Sequence, residues 1–159
     1  MTRLTTVTHS AEETRALGRV LASVLVPGDV VLLSGGLGAG KTELTKGIAE
    51  TLGVTDSVVS PTFTLARRYE GRLPLLHVDV YRLDRVQELL DLGLEEDFDD
   101  AVTVVEWGDV AAAHLPAERL GIHLDRLVAD DDRRVTISPE GPAWQARAAE
   151  LGRALRQDA

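Results

Sequence analysis

An α/β fold, a mixed but mostly parallel central sheet flanked by helices and ending in a C-terminal antiparallel hairpin, is predicted for this chain by three observations. Short continuous apolar runs alternate with segments of helical periodicity, the pattern of buried strands feeding crossover helices. A glycine-rich loop joins the first of those strands to a helix. Two strand-like runs near the C-terminus, residues 119–127 and 133–139, flank an acidic tip. The chain has 159 residues and shows no internal repeat or low-complexity linker, so residues 1–159 read as one domain.

Each element follows from its residues. SAEETRALGRVLASVL (10–25) opens on Ser10 as an N-cap with Glu13 in the capping-box position. Leu17, Val20, Leu21 and Val24 then recur at helical spacing. DVVLLS (29–34) is a short apolar strand. Leu44, Ile48 and Leu52 mark one side of the next helix, which Gly53 can end. Residues 62–70 alternate weakly, and RLPLLHVDV (72–80) is strand-like. RVQELLDLGL (85–94) has a helical pattern broken near Gly93, and AVTVVEW (101–107) is another buried strand. AWQARAAELGRALR (143–156) closes the sequence as a helix.

Composition excludes several roles. No run of about 18 apolar residues exists to span a membrane. The first ten residues, MTRLTTVTHS, lack a signal-peptide core, and the absence of cysteine removes disulfides and thiolate metal sites, so a cytoplasmic protein is expected. The net charge of −9 repels a phosphate backbone, so unaided grip on nucleic acid is not expected. Of seventeen basic residues only Lys41 and Lys46 are lysines, and Lys41 stands at the foot of the glycine loop.

That loop, GGLGAGKT (35–42), fits G-x-x-x-x-G-K-[ST] between a buried strand and a helix. Glycines let the backbone wrap a phosphate chain closely, inward N–H groups meet the anionic oxygens, and the helix start adds its positive end. Lys41 can reach the terminal phosphates as a compact charge, and the Thr42 hydroxyl suits magnesium. The fold is therefore expected to be P-loop NTPase-like and the ligand a nucleoside triphosphate. Metal-side carboxylates are offered at two strand ends, Asp79 and Glu106; either could hold magnesium and the other polarise the attacking water. His77, lone on an apolar strand, reads as a packed, hydrogen-bonded core residue. No [NT]-K-x-D motif accompanies the loop, which favours ATP over GTP. A small-molecule kinase is the alternative, although no arginine-rich lid segment is visible. A nucleotide-gated interaction module with little hydrolysis is the third reading.

Four motifs together, GGLGAGKTEL (35–44), VSPTFTL (59–65), HVDVYRL (77–83) and VVEW (104–107), resemble the TsaE (YjeE) family, the ATPase subunit of the bacterial machinery that makes threonylcarbamoyladenosine in tRNA. The resemblance runs from the first helix through the hairpin. It implies that Leu37, Gly38, Ala39, Gly40, Lys41 and Thr42 wrap the phosphates of ATP, with Thr42 and Glu106 on magnesium. Lys41, Asp79 and Glu106 would then be the catalytic residues, Asp79 ordering a water. It further implies a switch-like segment containing Ser60, Thr62 and Thr64, and adenine beside Ala11 at the start of the first helix. Trp107 would shield the site, meet a partner or simply pack. The partner implied is the threonylcarbamoyl-transferase heterodimer, reset between turnovers by ATP hydrolysis that is weak without it, with tRNA held only through partners. Gly36 departs from the family, where an acidic residue is common, and so does Glu43, where a small hydroxyl residue is common. The charged clusters EEDFDD (95–100) and DDDRR (130–134) read as solvated faces, with docking to a basic partner as the alternative.

Overall fold

The computed structural model describes residues 3–36, 38–59, 66–79, 99–106 and 115–157. A seven-stranded sheet runs β1-β7-β6-β2-β5-β4-β3, formed by β1 (Leu4–Thr8), β2 (Val30–Gly35), β3 (Ala66–Tyr69), β4 (Leu75–Asp79), β5 (Val102–Glu106), β6 (Arg119–Arg126) and β7 (Arg133–Glu140). The middle strands β6, β2, β5 and β4 are mutually parallel, while β1, β7 and β3 pair antiparallel at the two sides. This is the mixed, mostly parallel sheet expected, with the hairpin β6–β7 in place.

Burial explains the arrangement. Every residue of β4 and of β5 is buried, as continuous apolar runs require of central strands covered on both faces. In the hairpin, by contrast, Leu120, Ile122, Leu124, Val135 and Ile137 are buried while His123 and Arg134 face solvent, the alternation of an antiparallel pair with one wet face. Helices α1 (Ala11–Ala22), α2 (Lys41–Thr51) and α3 (Pro142–Gln157) complete the described elements. α1 and α2 cross at backbone contact, because Gly18 faces Leu44 and Gly47 faces Arg15 with no side chains between. α3 is held by Arg147, which donates to both carboxylate oxygens of Asp29 at 2.8 and 2.9 Å and lies 3.9 Å over the Trp144 ring. Among the described residues no helix is long and apolar enough to cross a membrane.

Three expectations change. Ser10 does cap α1, its hydroxyl accepting from the Glu13 N–H at 3.0 Å, but the Glu13 carboxylate accepts from the His9 N–H at 3.2 Å, one residue earlier than a capping box has it. A strand over Leu4–Thr8, where no element was expected, pairs with β7 from Leu4↔Ile137 to Thr8↔Arg133. The acidic tip is not wholly solvated, since Asp132 takes a 3.0 Å contact from His9 Nδ1. The expected helix over 85–94 lies outside the described residues, as does the greater part of the acidic run 95–100.

Candidate functional site

The site forms where β2, β5 and β4 end side by side. In register Leu33 stands beside Glu106, and Glu106 beside Asp79. Parallel neighbours are about 4.8 Å apart, and residues in one row point to one face, so the two carboxylates leave adjacent strands together. Both are buried, at 1% and 3% exposure, which fits a role in a site better than one in solvent. One residue beyond the same row on β2, Ser34 leads into the glycine loop.

The loop's backbone needs its glycines. Gly35 has φ 143° and a side chain there would sit 2.6 Å from the Leu124 carbonyl oxygen of β6. Gly40 caps α2 at φ 108° and offers no side chain to the first N–H groups of the helix. Lys41 is almost fully buried and donates from Nζ to the Gly35 carbonyl at 2.7 Å, reaching back across the loop. Among the described residues nothing lies within 4 Å of the point where a Gly36 side chain would begin.

Residues far along the chain brace this loop. Arg133, at the start of β7, donates from Nε to the Ala39 carbonyl at 3.1 Å and from Nη2 to the Gly38 carbonyl at 3.2 Å. In a trans peptide the C=O and the following N–H point in opposite directions, so holding the Ala39 carbonyl on one side turns the Gly40 N–H to the other. Arg126 of β6 adds a second guanidinium, 3.8 Å from the point where a Gly38 side chain would begin. Neither arginine carried a sequence signal; the spacing from loop to brace is over ninety residues. α1 approaches as well. Thr14 bonds Thr8 hydroxyl to hydroxyl at 2.7 Å, and its methyl lies 3.5 Å from the Gly40 side-chain position, which brings the first turn of α1, with exposed Ala11, alongside the loop.

Glu43 does not turn its charge to the loop. Arg15 of α1 donates to its Oε2 at 2.7 and 3.1 Å, and Lys46 to Oε1 at 3.2 Å. The Arg15 hydrogen bond, helped by Lys46, holds the Glu43 carboxyl below its usual range. His77 is packed, as expected, but among the described residues neither ring nitrogen has a hydrogen-bond partner; Glu106 Oε2 lies 3.7 Å from Nε2. The structure therefore brings together Gly38, Ala39, Gly40, Lys41 and Thr42 on the loop and helix start, and Asp79 and Glu106 on the strand ends. Leu37, Ser60, Thr62, Thr64 and Trp107 lie outside the described residues.

Comparison with known proteins bears on the whole of this arrangement. Residues 8–135 match the family model described as threonylcarbamoyl adenosine biosynthesis protein TsaE. The chain belongs to the TsaE family. It is 46% identical over 148 residues to the tRNA threonylcarbamoyladenosine biosynthesis protein TsaE of Bacillus subtilis, covering 92% of each chain. Against the protein of the same description from Streptomyces coelicolor it is 47% identical over 137 residues, 82% of this chain and 93% of the relative. The crystal structure of Bacillus subtilis YdiB superposes with a TM-score of 0.81 at 42% identity, covering 96% of this chain and 95% of that one. All the described residues of the loop and both strand-end carboxylates fall inside the stretch that matches the TsaE family.

Proposed function

We propose that this chain is a P-loop ATPase that binds and hydrolyses Mg-ATP as an accessory subunit of the tRNA threonylcarbamoyladenosine machinery, resetting the threonylcarbamoyl-transferase heterodimer between turnovers. The observation that carries the reading is the buried row of Asp79 and Glu106 on neighbouring strands, beside the loop that holds Lys41. The names of the relatives, all in threonylcarbamoyladenosine biosynthesis, supply the pathway.

In this reading Gly38 to Thr42 cradle the phosphates, with the uncapped N–H groups at the start of α2 meeting their oxygens. Lys41 supplies the compact positive charge at the terminal phosphates. The donor set fits magnesium: one hydroxyl from Thr42 and the carboxylates of Glu106 and Asp79, all hard oxygens. Among the described residues no three His, Cys, Asp or Glu side chains converge into a metal cage, and magnesium held by one or two carboxylates and substrate phosphates needs none. When bound, the ion offsets charge on the phosphates and orients them. Glu106 and Thr42 would hold it, and Asp79 would order a water for the reaction. Lys41 keeps the leaving phosphate's charge covered while Arg133 keeps the loop in place. Arg126 adds positive charge at the crown of the loop. Switch-like behaviour of Ser60, Thr62 and Thr64, and adenine beside Ala11, complete the proposal. The acidic balance of −9 supports a reading in which the partner holds the tRNA.

The test is ATP turnover by the purified protein, alone and with the transferase heterodimer, against Lys41→Ala. Strong stimulation by the heterodimer, lost in the variant, is expected. Tight ATP binding without stimulation would separate the chain from that pathway, and phosphorylation of an added metabolite would make it a kinase.

A further inference from the structure

His77 is a buried polar residue that packing does not account for. It is 0% exposed in the middle of β4, and among the described residues neither ring nitrogen has a hydrogen-bond partner. A neutral imidazole always carries one N–H donor and one acceptor, so both of its polar atoms are desolvated without return, a penalty an apolar side chain in the same space would avoid. Its place is specific. His77 pairs in register with Val104 and lies two residues before Asp79, so it shares the sheet face of both carboxylates, one row below them. Its Nε2 is 3.7 Å from Oε2 of Glu106, whose side chain is 4% exposed.

We infer that His77 is a positioning residue for Glu106: its Nε2–H faces Oε2 and restricts rotation of that carboxylate, so that Glu106 meets the magnesium of Mg-ATP in one orientation. This deepens the proposed function and rests on Glu106 as a magnesium ligand there. A carboxylate only accepts hydrogen bonds, which makes the nitrogen facing it the one that carries the proton. Imidazole nitrogen is a poor ligand for magnesium, which takes hard oxygens, so His77 acts through Glu106 and not on the ion. Groups that orient a metal ligand in this way change metal affinity by about 10- to 100-fold when removed.

The test is calorimetric ATP binding across a magnesium titration, with melting scans on the same samples, for the wild type, His77→Leu, His77→Gln, His77→Asn and Glu106→Gln. His77→Leu removes both unpartnered nitrogens at similar volume; it is expected to melt at or above the wild type yet to need about 10- to 100-fold more magnesium for half-maximal ATP binding. His77→Gln, whose amide N–H falls near the Nε2 position, is expected to recover most of that loss, and His77→Asn, whose N–H stops near Nδ1, is not. Wild-type magnesium dependence in His77→Leu overturns the inference, and so does a loss that glutamine fails to restore. If His77→Leu does not fold, the glutamine and asparagine variants decide: equal magnesium requirements overturn the inference. Glu106→Gln separates the two readings. If it leaves the magnesium requirement unchanged, the assignment of Glu106 fails; if it raises the requirement while the His77 variants do not, only the role of His77 fails.

Discussion

Replacing Gly47 by alanine asks whether α1 and α2 truly meet at their backbones. The added methyl would lie 1.9 Å from the Arg15 carbonyl oxygen, 2.9 Å from its carbon and 3.0 Å from the Arg19 nitrogen. No flexible side chain is there to yield. Carbon and carbonyl oxygen approach to about 3.3 Å at closest, so the helices must part by roughly 1.4 Å. Gaps of that size forfeit about half or more of the dispersion contact between the separated surfaces. The strain falls at the upper end of the overpacking range, about 3 kcal/mol. Alanine recovers about 1 kcal/mol of helix propensity over glycine. The net is a loss of about 2 kcal/mol, a fall in melting temperature of about 4–8 °C for a domain of this size. Gly152 provides the control. Among the described residues its side-chain position in α3 meets only the end of Arg156, at 3.2 Å, so Gly152→Ala is expected to raise stability by about 0.5–1 kcal/mol. Differential scanning calorimetry on the two single variants reads both signs. A Gly47→Ala protein that melts at or above the wild type would refute the close crossing.

Further outcomes follow from the ion pairs. Arg147→Ala leaves the Asp29 carboxylate, 8% exposed, with the Val26 N–H at 2.8 Å as its one remaining donor among the described residues and strips the cation from Trp144; a loss of about 3 kcal/mol is expected in urea denaturation. His9 has its pKa raised above 6.5 by its hydrogen bond to Asp132 and then by that residue's charge, which an NMR titration should show and Asp132→Asn should abolish. Because the folded value is the higher one, the pair adds stability that is complete below pH 6.5 and is lost as pH rises through the folded pKa. Glu43→Thr should cost about 0.5–1 kcal/mol through Arg15 and leave ATP affinity nearly unchanged, as equilibrium binding would show; a large gain in affinity would mean that the Glu43 charge does reach the site.

How much the sequence disclosed depended on whether a feature is local. The glycine loop and its lysine were legible because the loop is one continuous stretch, with Gly35, Gly38 and Gly40 at positive φ. Strands β2, β4 and β5 were legible because burial on both faces leaves an apolar run. Asp79 and Glu106 could be picked out as strand-end carboxylates, but their shared row appears only once β4 and β5 are paired. β1 was missed because LTTVT is short, half polar and partly exposed, and its register is set by β7, over a hundred residues away. Arg133 and Arg126 were missed for the same reason. That Arg15 holds the Glu43 carboxylate could not be read, since nothing in the neighbourhood of Glu43 along the chain points to that arginine. For His77, sequence conveyed burial correctly but could not show that no described residue would hydrogen-bond its ring.

The order of strands in the sheet has a consequence for synthesis. β2 and its loop are made early, yet their lateral neighbours are β5 and β6, and the loop's carbonyls are braced by Arg133. A nascent chain that has emerged only as far as Thr55 contains every residue of the loop and of α2, but neither strand that flanks β2 nor the arginine behind it. At about 5–20 residues per second, the ribosome needs several seconds more to deliver them. Under the proposed function, nucleotide capture therefore comes late in the life of the nascent polypeptide, and a ribosome-bound chain halted before residue 133 is expected not to retain ATP.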